Sequence, residues 1–317
     1  MPLYSAGQVK MESGALYNSV MCDVNRVTNV RVSYDLQRAN TNNLYRGKPL
    51  EVRPIINYVP VNVTFDMYKS DNSLEQMLGL VNTTGVAAAI CDTNPWTATY
   101  GIRSMQVYYA PNSSSNYNSL ADIKSGVLTN YSLQGSINEA MRQSIGMQFL
   151  DISGSVNTNP RDMTIYNTEV IKPENINLTG IQFTGCGFSN VTIQSFSLSI
   201  SFTRIAVTYM GSRFPQSRPL VDVNASLQVQ GFIEGLSNTT GLAQYNNGDP
   251  VYGQVQLITY PACTNTSPCT ITMTNPYVDS VSLEGQAGNF STFSMSFSLP
   301  LGSNPLNTGD GSVLTIQ

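Results

Sequence analysis

Apolar and polar residues alternate with a period of two along most of this chain. The clearest case spans residues 195–236, SFSLSISFTRIAVTYMGSRFPQSRPLVDVNASLQVQGFIEGL. Two alternating runs flank a long, basic, proline-containing loop, which predicts paired strands around an ordered connection. Residues 29–80 repeat the pattern more weakly. There Val30, Val32, Tyr34 and Leu36 alternate with Asn29, Arg31, Ser33 and Asp35, and Val59, Val61, Val63, Phe65 and Met67 share one face of the next run. Pro60 inside that run marks a strand start or an edge, because proline cannot donate to a ladder.

Elsewhere residues 1–20 read as a Gly/Ser/Tyr arm with little periodicity. SDNSLEQMLGL (70–80) opens on a capping Ser70 or Asp71 and places Leu74, Met77 and Leu78 at helical spacing, predicting a short helix. Strand is expected within 86–111, a second short helix at 120–128, and further strand across 127–152. A polar stretch at 153–175 reads as a connection. After it strands are expected at 176–184, 190–209, 220–233, 251–260, 269–275 and 278–300, and a terminal one at 312–316 in a Gly/Asn/Ser tail. The expected fold class is all-β with one or two short helices, in two tandem β-sandwich or partial-barrel domains, 1–165 and 166–317.

Four anchors support an internal repeat, a feature to be sought before any motif. Arg38 matches Arg204 at a displacement of 166, Arg53-Pro54 matches Arg218-Pro219 at 165, GLVNTTGVA (79–87) matches GLSNTTGLA (235–243) at 156, and SLQG (132–135) matches SLEG (282–285) at 150. The fall from 165 to 156 puts nine extra residues into the first copy, on DMYKSDNSLEQ. Both copies keep the long loop between the paired strands. Gly47 and Gly211 permit turns closed to other residues, while Pro54 and Pro219 stiffen the return into the next strand. One reading makes the loop a decorated hairpin covering an edge. The other makes it an arm on a neighbouring subunit, with Arg53, Arg213 and Arg218 supplying directed hydrogen bonds.

Composition narrows the chemistry. Charged residues make up 11% of the 317, against roughly 25% in average soluble domains, and Asn, Ser and Thr supply the polarity instead. The net charge of −4 lies wholly in the second half: residues 1–165 carry 12 basic and 12 acidic residues, 166–317 carry 4 and 8. There is no Lys/Arg cluster to neutralise a run of phosphates, so tight nucleic-acid binding is not expected. Histidine is absent, which removes Ser-His-Asp and Cys-His catalysis and the usual metal sites. Asp35/Glu51 and Glu234/Asp249 are not marked out as a glycosidase pair, GDGSV (309–313) lacks the P-loop ending, and DMYKSDNSLE lacks calcium-loop spacing. Trp96, the single tryptophan, reads as a core or interface anchor.

The five cysteines, Cys22, Cys91, Cys186, Cys263 and Cys269, contain no CxxC spacing; Cys263 and Cys269 are either a local disulfide or a reduced pair. The N-terminal residues show no secretory h-region, and no apolar run reaches membrane-spanning length. No catalytic, cofactor or metal residue is expected.

The hairpin pattern carries a resemblance. Strand, Arg204, YMGSRFPQSRP and a strand ending GFIEG, with the weaker VSYDLQR, YRGKPLEVRP and VNVTFDMY, is similar to the long hairpin region of tailed-bacteriophage tail tube proteins. It covers residues 29–80 and 195–236 and is a pattern, not a signature motif. The resemblance implies tube-type β-domains with a flanking helix, joined edge to edge into a ring whose inner wall is a continuous barrel. It implies partners as well: further copies of the chain, neighbouring rings, other tail proteins, and DNA passing without sequence-specific binding. It places the protein in the virion, assembled in the host cytoplasm. Two copies per chain leave open a hexamer or a pseudo-sixfold trimer, and a tube subunit or a hub or adaptor. A glycan-binding adhesin is the alternative from another class, on the Tyr/Asn-rich loops 108–118 and 244–252.

Overall fold

The computed structural model describes residues 4–13, 22–24, 26–34, 44–45, 48–49, 60–78, 80, 102–111, 118–153, 170–179, 188–207, 215, 217–236, 254–261, 268–285, 291–302 and 313–316. In this part the fold is all-β. The first strands are β1 (Tyr4–Ser13), β2 (Cys22–Val24), β3 (Val27–Tyr34), β4 (Leu44–Tyr45), β5 (Lys48–Pro49) and β6 (Val61–Tyr68), followed by one short helix, α1 (Ser73–Leu78). Then come β7 (Ile102–Pro111), β8 (Asn118–Ser136), β9 (Arg142–Ser153), β10 (Pro173–Thr179), β11 (Phe188–Arg204) and β12 (Leu220–Leu236). The chain closes with β13 (Gln254–Pro261), β14 (Cys269–Thr274), β15 (Tyr277–Glu284), β16 (Ser291–Pro300) and β17 (Val313–Ile316).

Alternation in sequence becomes alternation in burial. Val61, Val63, Phe65 and Met67 of β6 are buried while Asn62 and Thr64 are exposed; in β12 Val223, Ala225, Leu227 and Val229 are buried between exposed Asn224, Ser226, Gln228 and Gln230. Period-two chains with one apolar face bury that face against a second layer. Here one cluster of apolar side chains is continuous through both halves of the chain.

Ladder positions in the two halves of the chain correspond pair by pair. In β3–β6 Val32 lies opposite Val63; in β11–β12 Leu198 lies opposite Leu227. Val63 then faces Met147 across β6–β9, as Leu227 faces Phe297 across β12–β16. Leu133 faces Gln143 across β8–β9, as Leu283 faces Phe293 across β15–β16, so both partners move by the same 150 residues, from 133 to 283 and from 143 to 293. Val107 faces Ala121 across β7–β8, as Leu257 faces Ile271 across β13–β14; Val9 faces Val107 as Leu178 faces Leu257.

Two of the irregularities coincide as well. The ladder of β3–β6 slips at Thr28 and that of β11–β12 at Gln194; β8–β9 slips at Thr129 and β15–β16 at Asp279. Bulges bend and twist a strand locally, so their reuse preserves the curvature of the unit.

Repeat one is therefore β1, β3, β6, β7, β8 and β9, and repeat two is β10 to β17. The two differ where continuous strands are broken. β8 corresponds to β14 plus β15, interrupted at Asn275, which has a φ of 54°, and Pro276, which has no N–H to give. β9 corresponds to β16 plus β17, separated by residues 301–312. That split gives repeat two its separate four-stranded sheet, β10-β13-β14-β17. Among the described residues the one helix, α1, lies in repeat one, on the segment where the sequence places its extra residues.

Two sequence expectations change and one holds. The arm at 1–20 contains β1, which pairs both β2 and β7. The helix expected at 120–128 is part of β8, held between β7 and β9, and that pairing overrides its local spacing. Pro60 lies just before β6, at a strand start. The boundary near 165, the anchors Arg38, Arg53-Pro54 and the two NTTG strings lie outside the described residues.

Candidate assembly edges

The two repeats share one sheet because β8 of the first pairs β11 of the second. Seven antiparallel positions run from Ser195 opposite Ser136 to Ser201 opposite Asn130. Leu198 lies opposite Leu133 and Ile200 opposite Tyr131, and all four are fully buried. Phe196 lies opposite Gly135, where a Cβ would come within 2.5 Å of its ring, so the glycine of SLQG leaves room for a crossing side chain. The strand order through this joint is β3-β6-β9-β8, then β11-β12-β16-β15.

On this path the ends are β3 and β15, and each pairs one neighbour among the described strands; the branch β8-β7-β1-β2 ends separately at β2. By the register above β3 is the counterpart of β11 and β15 the counterpart of β8. Their apolar rows are less covered than those of the internal joint. Val30, Val32, Val281 and Leu283 are only partly buried and Tyr34 is 56% exposed, whereas Phe196, Leu198, Ile200, Tyr131 and Leu133 are all buried. A sheet edge with under-covered apolar side chains is a template for another strand.

The opposite face of the sheet is polar, and near the joint β8, β11, β12 and β16 carry no charge on it. Outward positions at 130–136, 195–201, 224–230 and 292–298 are all Ser, Thr, Asn or Gln. They form rows across strands: Ser199 is opposite Ser132 and Ser226, and Ser226 is opposite Ser298. The hydroxyls of Ser280 and Ser296 lie 2.7 Å apart.

Of the loop residues picked out from sequence, Gly47, Arg53, Pro54, Gly211 and Arg213 lie outside the described residues. Arg218 and Pro219 are placed. The loop closes by hydrogen bonds from Val207 N to Ser217 O (2.9 Å) and Ile205 N to Pro219 O (3.2 Å). Arg218 is 1% exposed; its Nη1 donates to the backbone oxygen of Gln148 on β9 (3.0 Å), and Arg204 Nη1 donates to Arg218 O (3.0 Å). Arg218 thus reaches from repeat two onto repeat one, bracing the joint from inside the chain.

A second polar cluster is closed to solvent. Lys69 and Glu75, both with fully buried side chains, form an ion pair, and Lys69 Nζ also donates to Asn72 Oδ1 (2.8 Å) and Asp71 O (3.2 Å). Tyr131 OH donates to Glu75 Oε1 (2.9 Å), and Gln143 Nε2 donates to the same oxygen and to Tyr131 OH (3.1 Å). Burial, with Glu75 alongside, holds the Tyr131 phenol well above its usual range. Nearby Cys269, a free thiol, is pushed up to about 11 chiefly by burial. The counterparts of Tyr131 and Gln143 in repeat two are Val281 and Phe293. The polar pair occurs where the α1 segment delivers a carboxylate, so the cluster pins the helix to the sheet. Sequence reasoning missed it because its members come from three separate segments.

Among the described residues there is no group of three or more metal-ligating side chains, and no helix is long and apolar enough to cross a membrane. No protein-family model and no curated protein matches the chain.

Proposed function

We propose that this chain is a structural, non-enzymatic virion protein: a subunit of a bacteriophage tail tube that joins its sheet edge to edge with further copies into rings. The rings stack into a channel for DNA. The observation that carries this reading is the pair of under-covered edges, β3 and β15, on a sheet whose two internal repeats are already joined edge to edge. The hairpin resemblance to tail tube proteins supports it.

The energetics suit assembly by ring closure. Completing the burial of four or five half-covered apolar side chains contributes on the order of 4 kcal/mol per joint. That barely offsets the translational and rotational cost of association, roughly 4–15 kcal/mol, so an isolated joint is weak. A closed head-to-tail ring gives every subunit two joints. With the polar face lining the channel, a wall of Ser, Thr, Asn and Gln offers DNA few cations to hold it, and counterion release then contributes little.

Electron microscopy and mass photometry of the purified chain test this. Rings or stacked tubes with an even number of β-units are expected, and the number of chains per ring separates a tube subunit from a trimeric hub. A species that stays monomeric at high concentration overturns the reading.

A further inference from the structure

Independently of how copies assemble, we infer that Lys69 and Asn72 become joined by an isopeptide bond that the folded chain makes by itself, with Glu75 as the proton carrier. Lys69 Nζ donates to Asn72 Oδ1 at 2.8 Å, and the amide carbon Cγ lies one C=O bond, about 1.23 Å, from that oxygen. The same Nζ is ion-paired with Glu75 Oε1. An amine, a carboxamide and a carboxylate therefore meet at one point, with the amine and the carboxylate both out of water.

The reacting groups are held from outside. The Lys69 backbone is clamped on both sides: its N donates to Met141 O and its O accepts from Ile171 N, each at 2.9 Å. Tyr131 OH and Gln143 Nε2 aim Glu75 by donating to Oε1, while Oε2 has no hydrogen-bond partner among the described residues and is open to a proton. Asn72 is only partly buried, which gives displaced ammonia a way out. Holding amine and amide in contact replaces the high concentration their reaction would otherwise need. The fold itself does not ask for these polar groups. By the register of the repeats Lys69 corresponds to buried Ile233, and Tyr131 and Gln143 correspond to Val281 and Phe293.

Proton transfer from Lys69 to Glu75 inside the pair leaves an amine whose lone pair attacks Asn72 Cγ. Glu75 returns that proton to the amide nitrogen as the Cγ–Nδ2 bond breaks and ammonia departs. The surplus proton on the new amide nitrogen passes to Glu75 and from there to the departing ammonia. One C–N bond forms, one breaks, and nothing is oxidised or reduced. The product removes a buried ammonium, whose desolvation opposes folding, and ties the end of β6 to the start of α1.

Intact-mass and tandem mass spectrometry of the purified full chain test this. The folded parent should be lighter than its sequence by one ammonia, trypsin should fail to cut after Lys69, and fragment ions should place the link between Lys69 and Asn72. Asn72→Ala, which leaves the ion pair in place, should fold, keep its full mass and be cut after Lys69. A folded parent at full sequence mass overturns the bond. So does the same loss of ammonia from Lys69→Arg, which would mean an asparagine closing on its own backbone, and so does loss of water, which would put the link on Glu75. A linked Glu75→Gln chain would overturn the part given to the carboxylate.

Discussion

Leu133 and Leu283 occupy the same place in two copies of one strand, but among the described strands only Leu133 has a partner on both sides. It faces Gln143 on β9 and Leu198 on β11 and is fully buried; Leu283 faces Phe293 on β16 and is partly buried. Leu133→Ala should therefore cost about 2–5 kcal/mol of folding stability in urea denaturation. Leu283→Asp should shift the monomer's midpoint by far less yet abolish higher assemblies in analytical ultracentrifugation. Equal loss of stability in both variants would make β15 an ordinary core strand and remove it as an assembly edge.

The ion pair between Lys69 and Glu75 sits wholly out of water, with Tyr131 and Gln143 hydrogen-bonded to the same carboxylate oxygen. Glu75→Gln leaves the Lys69 charge buried without its partner and should destabilise repeat one by about 3–5 kcal/mol. Replacing both, Lys69→Met with Glu75→Leu, should recover part of that loss, because the desolvation of the pair disappears with it. Denaturant titration of the single and double variants checks the order. A double variant no better than Glu75→Gln would locate the stability in the hydrogen bonds instead of the charge.

Most of the strands were legible because their faces differ so sharply in polarity. β11 and β12 alternate Ser, Asn and Gln against Leu, Ile, Phe and Val over their central stretches, and period two cannot be mistaken there. The repeat was legible through loop residues and SLQG/SLEG, since turns and close crossings constrain residue type more tightly than strand faces do. β1 was hidden because YSAGQVKMES has no apolar stripe; its strand character comes from pairing with β7. The candidate edges were not legible at all. Val32 and Leu198 look alike in sequence, and only the count of neighbouring strands separates them.

Alkaline pH should weaken the fold through Cys269 and Tyr131. Burial raises the Cys269 thiol from 9.0 to about 11, so the unfolded chain loses that proton first as pH rises. The stability is therefore intact below about pH 9 and falls between pH 9 and 11, by on the order of 2–3 kcal/mol for this group. Tyr131, raised well above 10.0, extends the loss to higher pH. Thermal melts from pH 7 to 11 should decline more steeply for the parent than for Cys269→Ala. In the same window Cys269 should resist alkylation until the chain unfolds. Identical pH profiles for the two proteins would show that the buried thiol does not govern the decline.

Arg218 tests what the long loops do. Its guanidinium donates to Gln148 O across the joint between repeats and is out of solvent, so Arg218→Ala should cost roughly 1.5–3 kcal/mol of stability in the single chain. Sequence sets Arg53-Pro54 at the matching point of repeat one. On the assembly reading proposed above, the matching contact of Arg53 falls on a neighbouring copy. Arg53→Ala should accordingly leave the monomer's melting temperature within about 2 °C of the parent and reduce assembly in mass photometry. Assembly of Arg53→Ala at parental concentrations would make the first loop a cover for its hairpin, and the bracing of Arg218 would then belong to repeat two alone.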